Sequence, residues 1–152
     1  MKLKGIIFED FINYKKISMT LEFPYCSFKC GKECQNYNLS NENNIEVSVE
    51  KIIDSYLNNP ITESIVMQGL EPFDSFNDLH TFIDYFRHVS ADDIVIYTGY
   101  YKNEIQDQIN ALQHYPNIII KFGRYVPNQE PHYDEILGVN LASNNQYAEK
   151  IS

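Results

Sequence analysis

The three cysteines of this chain lie within nine positions, at Cys26, Cys30 and Cys34. Their odd number and close spacing do not fit a disulfide framework, which pairs an even number of scattered cysteines. Three thiolates that converge from one loop are suited to hold a metal ion or an iron–sulfur cluster. Because a cubane 4Fe–4S cluster usually takes four thiolates, three would leave one iron open to another ligand. The spacing therefore predicts a cluster with one exchangeable position.

A structural zinc site is the main alternative for the same thiols. Zinc normally takes four ligands, often as two separated pairs. A fourth ligand would have to come from the histidines, none of which is paired with another at ligand spacing: His80, His88, His114 and His132. Three structural cysteines without metal are a further alternative, although such residues would more naturally be spread through a core than gathered in a polar loop. Both alternatives stay open at this point.

Composition limits the classes of partner and the number of domains. A length of 152 residues predicts one domain, spanning 1–152, and 43% hydrophobic residues are enough for a core. The net charge is −9 and Lys and Arg form no run, so we expect no nucleic-acid partner. No apolar run reaches the length of a membrane span and no signal-peptide core follows the first residues, so we expect no membrane partner. We expect a cytoplasmic protein, in a compartment that keeps thiols reduced.

Apolar periodicity predicts alternating strands and helices. Helices are expected after Ser48, after Ser75 with Asp78 as a capping box, and near Asn103. Strands are expected at 2–8, 16–23, 64–67, 93–97, 117–122 and 136–141. Strands that alternate with helices imply parallel units with right-handed crossovers. The predicted fold class is α/β, a partial, open (β/α) barrel of about five mostly parallel strands with helices on the outside.

The unusual short sequences fall at the carboxyl ends of the predicted strands. They are the cysteine loop, Gly69-Leu70-Glu71-Pro72, Thr98-Gly99-Tyr100, Gly123-Arg124 and Ser143-Asn144-Asn145. In parallel β/α folds the ligand site lies beyond these ends. We therefore expect all five segments to meet on one rim of the fold.

In their order along the chain, these motifs resemble those of radical S-adenosylmethionine (SAM) enzymes. The similarity is strongest to the small activating enzyme of anaerobic (class III) ribonucleotide reductase, and it covers nearly the whole chain. The three cysteines and Asn36 match the cysteine motif of that family, and Gly69–Pro72 matches its Gly-Gly-Glu-Pro motif. Thr98–Tyr100 matches its Thr-Gly-Tyr, and Ala142–Gln146 matches its late Gly-Ser-x-Asn-Gln.

The chain also departs from the pattern of the family it resembles. One residue is added between Cys30 and Cys34, which gives C-x3-C-x3-C. Leu70 and Ala142 stand where the family has glycines. Asn13-Tyr14-Lys15-Lys16 stands in place of the family's Gly-Pro-Gly-x-Arg segment. These differences bear on which substrate the protein would act on.

The resemblance implies a 4Fe–4S cluster and SAM as cofactors. The three cysteines would bind three irons, and SAM would chelate the fourth through its amino and carboxylate groups. Gly69 and Glu71 would receive the amino group, and Arg124 would meet the carboxylate. The methionine or ribose part would be held by three side chains, Thr98, Ser143 and Asn145.

The resemblance also implies an activity and partners. One electron, from a flavodoxin-like or other low-potential donor, would cleave SAM to methionine and a 5′-deoxyadenosyl radical. The radical would take hydrogen from a glycine of a large glycyl-radical enzyme, such as the reductase subunit. Two other functions remain open from the sequence. The first is radical SAM chemistry on a different peptide or small molecule, and the second is a non-catalytic zinc-binding interaction module.

Overall fold

A six-stranded sheet with four parallel strands at its centre organises the fold. The computed structural model describes residues 1–28 and 30–152. The strands are β1 (Lys2–Leu3), β2 (Gly5–Asp10), β3 (Ser18–Phe23), β4 (Ile45–Glu46), β5 (Ser64–Gly69), β6 (Asp93–Tyr97), β7 (Ile118–Phe122), β8 (His132–Asp134), β9 (Val139–Leu141) and β10 (Tyr147–Lys150). The α-helices are α1 (Tyr37–Ser40), α2 (Val49–Leu57), α3 (Phe76–Arg87) and α4 (Gln106–Leu112). Short 3₁₀ turns occupy Gly31–Glu33, Pro72–Ser75 and Lys102–Glu104.

The strand order of the main sheet is β10-β7-β6-β5-β3-β2. Strands β3, β5, β6 and β7 are parallel, and α2, α3 and α4 form the three crossovers between them. The edge strands β2 and β10 pair antiparallel with β3 and β7. The predicted α/β class is confirmed. The sheet is mixed and is not closed, and the curvature of a partial barrel stays a prediction.

The two faces of the sheet have different coverings, because neighbouring residues of a strand point to opposite sides. On one face, alternate residues such as Ile65, Met67 and Ile96 pack in one large core with the apolar stripes of α2, α3 and α4. On the other face, Val66 and Val95 belong to a smaller apolar cluster. It also contains Tyr14 and apolar side chains from residues 136–148. The second face is therefore the one that the loops cover.

The start of α2 follows the prediction and the start of α3 does not. Ser48 caps α2, since its hydroxyl accepts a hydrogen bond from the Lys51 N–H at 3.2 Å. The capping box predicted for Ser75 and Asp78 was wrong, because the Ser75 side chain makes no cap hydrogen bond and its buried hydroxyl has no partner among residues 1–28 and 30–152. The chain enters α3 from the 3₁₀ turn that begins at Pro72, and Glu71 caps that turn instead.

Two features of the C-terminal part also differ from the prediction. The strand predicted at 136–141 is shortened to β9, which pairs with β8 in a separate two-stranded sheet. The strand that joins the main sheet is β10, which pairs antiparallel with β7 over Tyr147–Lys150. Its four residues show little apolar alternation, so no strand was predicted there. The structure thus adds a sixth strand and returns the chain end to the sheet.

Asp10 fixes the turn that follows β2. It is 4% exposed, and its carboxylate accepts hydrogen bonds from the Thr20 hydroxyl at 2.6 Å and from the Asn13 amide group at 2.6 Å. The backbone N–H groups of Ile12 and Asn13 donate to it as well. Burial acts to raise the pKa of Asp10, but these hydrogen bonds together outweigh it and lower the pKa below its usual 3.8.

Replacing Asp10 with Asn should lower the free energy of unfolding by about 1–3 kcal/mol at pH 7, because an amide hydrogen then faces buried donors. The pKa is lowered in the folded state, so the stabilisation exists above the unfolded value of 3.8 and is lost as the pH falls below it. In urea unfolding of the metal-free protein, the free energy of unfolding of the variant should be lower than that of the wild type at pH 7. At pH 3 the difference between the two proteins should be smaller. Asp54→Asn on the exposed face of α2 is the control. A deficit that does not change with pH would contradict this account.

Within residues 1–28 and 30–152, none of the helices combines the length and the apolar character that crossing a bilayer requires.

Candidate metal centre

The cysteine loop lies beyond the carboxyl end of β3 and is tied to the ends of the neighbouring strands. The Leu70 N–H donates to the Phe23 carbonyl at 3.2 Å, and the Glu71 N–H donates to the Tyr25 carbonyl at 2.8 Å. On the far side of the loop, the Asn36 amide group donates to the Gly69 carbonyl at 2.6 Å. Both ends of the loop are therefore attached to the segment that follows β5.

An aromatic contact attaches the middle of the loop to the segment after β6. The Phe28 ring packs against Tyr100 with centroids 4.7 Å apart, directly above Gly99. A Cβ atom at Gly99 would lie 2.6 Å from the Phe28 ring, so any larger residue there would force the ring to shift. The Tyr100 hydroxyl donates to Asp74 at 2.7 Å, and the Ser27 N–H donates to the same carboxylate.

Gly69 ends β5 in a conformation that favours glycine. Its φ is +105°, and a Cβ atom there would lie 2.6 Å from the Phe23 N of the neighbouring strand. The chain can therefore turn sharply at this point and bring Leu70 and Glu71 under the cysteine loop. The requirement comes from the packing of β5 on β3, and it explains why the first position of the Gly69–Pro72 motif is a glycine.

The three cysteines line one cavity of about 520 Å³. Its other walls include residues that follow β5, β6 and β7, among them Gly69, Glu71, Thr98 and Arg124. The predicted convergence of strand ends is thus confirmed for the cysteine loop and for these three segments. A volume of this size is typical of small-molecule and cofactor sites.

The late motif is placed differently. Within the described chain, Ser143 and Asn145 are not among the residues that line the cavity, whereas Gln146 is. Ser143 is fully buried, and its hydroxyl donates to Asn145 at 2.7 Å. The Asn145 amide group donates to the Arg124 carbonyl at 2.7 Å, and the Gln146 amide group donates to the Gly123 carbonyl at 3.3 Å. In this structure the Ala142–Gln146 motif stabilises the backbone of the segment after β7 through these hydrogen bonds.

Glu71 is almost completely buried and connects two strand ends. Its carboxylate accepts hydrogen bonds from the Thr98 hydroxyl at 2.8 Å, the Gly99 N–H at 2.8 Å and the Phe73 N–H at 3.1 Å. Burial raises the pKa of Glu71 to about 7, and these three bonds oppose the rise. A carboxylate has about four acceptor positions, so one position remains for a ligand donor. The role predicted for Glu71 toward an amino group stays a prediction.

Arg124 lies on the cavity wall with its guanidinium already engaged. Both of its terminal nitrogens donate to Glu104, at 2.8 and 3.0 Å, which makes a bidentate pair. The same group lies over the rings of Phe28 and Tyr101, at 4.6 and 5.1 Å from their centroids. Arg124 therefore holds the cysteine loop against the segment after β7.

The thiols themselves fit a cluster site. All three are free, with Cys26 and Cys30 exposed and Cys34 partly buried. In the metal-free chain, burial and the nearby charges of Glu71 and Asp74 raise the pKa of Cys26 to about 11. A bound metal centre reverses this preference, because a coordinating thiol is deprotonated. Cluster assembly on Cys26 should therefore release a proton.

A single metal ion and a cubane cluster need different arrangements of donor atoms. Across the described residues, no three His, Cys, Asp or Glu side chains are grouped closely enough to hold one metal ion. A cubane binds each thiolate at a different iron, so its ligands are spread more widely than those of a single ion. Three free thiols line the cavity, as many as are needed to bind three of the four irons.

Comparison with protein families decides the nature of the metal centre. The family model described as "4Fe-4S single cluster domain" matches residues 16–147. This chain belongs to the 4Fe–4S single cluster domain family. The match spans the cysteine loop and the segments after β5, β6 and β7 that line the cavity, so the family indicates a 4Fe–4S cluster in this protein. Searches of curated proteins and of solved structures found no significant match.

Among the residues that line the cavity of this 4Fe–4S domain but were not predicted as site residues are Lys121 and Gln146. Lys121, the penultimate residue of β7, lines the cavity and is only 7% exposed. Gln146 lines the cavity beside Gly123. The signal for Lys121 was a single lysine inside an otherwise apolar strand of a sheet whose two faces are both covered. Gln146 was part of a recognised motif, but its neighbours were given the binding role.

Proposed function

We propose that this protein is a radical SAM activase that uses its 4Fe–4S cluster to cleave SAM reductively and to install a glycyl radical on a partner enzyme, anaerobic ribonucleotide reductase. One observation carries the proposal. The three cysteines and the residues after β5, β6 and β7 line a single cavity, at the strand ends where parallel β/α folds bind their ligands.

The residues present offer binding positions for both groups. Cys26, Cys30 and Cys34 would each hold one iron, and the fourth iron would be left for SAM. The free acceptor position of Glu71 and the backbone near Gly69 would receive the SAM amino group. Thr98 holds Glu71 in place through a 2.8 Å hydrogen bond, so it would orient that contact.

The proposed chemistry comes from the bound groups, and the chain supplies position. When both are bound, they would supply one-electron reductive cleavage of the C5′–S bond of SAM, with methionine and a 5′-deoxyadenosyl radical as its products. Phe28 and Arg124 stack over one side of the cavity, where they would exclude water. Cys26 and Cys30 are exposed, so a flavodoxin-like or other low-potential donor could approach the cluster closely.

An apolar lip beside the cavity supports a protein substrate. It comprises four exposed side chains at the end of β2 and in the turn after it: Ile7, Phe8, Phe11 and Ile12, with exposed fractions of 39% to 78%. Ile7 and Ile12 also line the cavity. Because the lip continues into the cavity, a glycine-bearing segment of the partner that lies on it would reach the bound SAM.

The test is anaerobic turnover with the partner present. Cluster-loaded protein with SAM and a reductant should form 5′-deoxyadenosine and methionine, and adding the large reductase subunit should give a glycyl radical signal in electron paramagnetic resonance. Phe11→Ser should form 5′-deoxyadenosine without the partner as the wild type does, but should give at least ~10-fold less glycyl radical. Tyr85→Ser is the matched control, since Tyr85 is an exposed aromatic residue on α3 behind the sheet.

The outcomes separate the levels of the proposal. If adding SAM does not change the electron paramagnetic resonance spectrum of the reduced cluster, the proposal of radical SAM chemistry is overturned. SAM cleavage without any glycyl radical on the reductase subunit would overturn the activase assignment and favour a different peptide or small molecule. Protein that retains only zinc would contradict the cluster itself.

A further inference from the structure

Lys121 is a buried cation on the cavity wall. In β7, Ile118, Ile120 and Phe122 face the helices, so Lys121 points to the opposite side with Ile119. It is 7% exposed, and its ammonium donates to the Gly123 carbonyl at 3.0 Å. An ammonium has three donor hydrogens, so two are left for other partners.

Among residues 1–28 and 30–152, no carboxylate lies at ion-pair distance from the Lys121 ammonium. The ion pairs in the described part of the chain are Lys16–Asp93, Lys102–Glu149 and Arg124–Glu104. Its ammonium lies 5.8 Å from the centroid of the Tyr97 ring, which offers a weak cation–π contact. Burying a charge is costly unless it is paired. A cavity that holds an unpaired buried ammonium is therefore suited to an anionic group of a ligand.

The charge of Lys121 persists at neutral pH. Burial lowers the pKa of Lys121 to about 8, and the negative charge of Glu71 acts in the opposite direction. Tyr97 faces the ammonium from β6, and burial raises the pKa of that phenol, so Tyr97 stays neutral. The ammonium is therefore available for an anion.

Lys121 and Glu71 give the cavity one buried base and one buried acid. An α-amino acid head group carries the two complementary charges, a carboxylate and an ammonium. The other basic residue on this wall, Arg124, is already paired bidentately with Glu104. We propose that Lys121, and not Arg124, binds the carboxylate of the methionine portion of SAM, while the amino group lies toward Glu71. This inference rests on the proposed use of SAM.

The test is a coupling cycle on cluster-loaded protein without reductant, so that SAM binds but is not cleaved. Equilibrium dialysis would give the Kd of SAM and of decarboxylated SAM, which lacks the carboxylate, for the wild type and for Lys121→Met. In the wild type SAM should bind more tightly than decarboxylated SAM. In Lys121→Met the ratio of the two Kd values should shrink by ~10-fold or more, as expected for loss of a charge-assisted hydrogen bond.

Two further variants serve as controls, one for the loss of a lysine charge elsewhere in the protein and one for misfolding of Lys121→Met. Lys51→Met removes an exposed lysine of α2 and should leave both Kd values unchanged. Lys121→Gln is a second neutral variant, to be used if Lys121→Met does not fold by circular dichroism, and it should shrink the ratio in the same way.

The results distinguish this inference from the proposed function. If the substitution weakens both ligands equally, or leaves SAM binding unchanged, Lys121 does not bind the carboxylate, while the SAM proposal stands. If Arg124→Met shrinks the ratio and Lys121→Met does not, the carboxylate belongs to Arg124. If the wild type binds no SAM, both proposals are overturned, and that result is read from the wild type alone.

Discussion

Replacing any one of Cys26, Cys30 and Cys34 with Ser should reduce the bound iron and sulfide at least ~10-fold after anaerobic reconstitution. All three thiols line one cavity. The protein is a member of the 4Fe–4S single cluster domain family, so these thiols are the expected cluster ligands. The described chain offers no fourth cysteine that could replace a missing ligand. The effect is measured by iron and sulfide analysis and by low-temperature electron paramagnetic resonance of the reduced protein.

The matched control lies inside the same loop. Ser27→Ala removes a hydroxyl that contacts the Tyr100 hydroxyl at 3.1 Å and should leave the cluster content at the level of the wild type. Urea unfolding of the metal-free proteins should be nearly the same for all four variants, because the altered side chains are exposed or only partly buried. A cysteine variant that retains a full cluster would show that another residue supplies that ligand.

Replacing Glu71 with Ala should lower the free energy of unfolding by about 3–5 kcal/mol, the largest stability effect we expect at the site. The substitution leaves the Thr98 hydroxyl and the N–H groups of Gly99 and Phe73 without their acceptor. Glu71→Gln keeps the shape and one acceptor oxygen, so we expect a loss of about 1–2 kcal/mol. Urea unfolding at pH 7 measures both.

The same pair of variants separates the two roles of Glu71. If Glu71 also receives the SAM amino group, cluster-loaded Glu71→Gln should bind SAM at least ~10-fold more weakly, since the amide carries no charge. The control is Asp74→Asn, which changes a neighbouring acid that bonds Tyr100 and Ser27 on the outer side of the loop. A folded Glu71→Gln protein with unchanged SAM affinity would make Glu71 a structural brace only.

Much of the fold could be predicted from local patterns. The apolar run before Tyr97 and the stripe of α2 with its Ser48 cap depend on neighbours in sequence, and both formed where predicted. The cysteine loop could also be recognised, because three thiols within nine residues are grouped by the chain itself. Alternation of strands and helices was enough to predict parallel pairing and the meeting of strand ends.

Long-range partners could not be predicted in this way. The Ser75 cap failed because Glu71, across a 3₁₀ turn, took the capping role. Strand β10 has no periodicity of its own and exists because β7 offers a free edge. Ser143 and Asn145 were expected to face a ligand, but whether a loop side chain turns toward a cavity or away from it depends on the backbone it packs against.

The sequence by itself pointed to the three cysteines as candidate ligands and to the alternation of strands and helices around them, since both depend on residue type and spacing. Only the tertiary structure decided how the charges in the cavity are distributed. Glu104, Glu71 and Lys121 are distant from one another in sequence, and the sheet brings them to the same rim. There Glu104 neutralises Arg124, whereas Lys121 forms no ion pair within the described part of the chain. Alternation along β7 turns Lys121 away from the helices and toward the cavity.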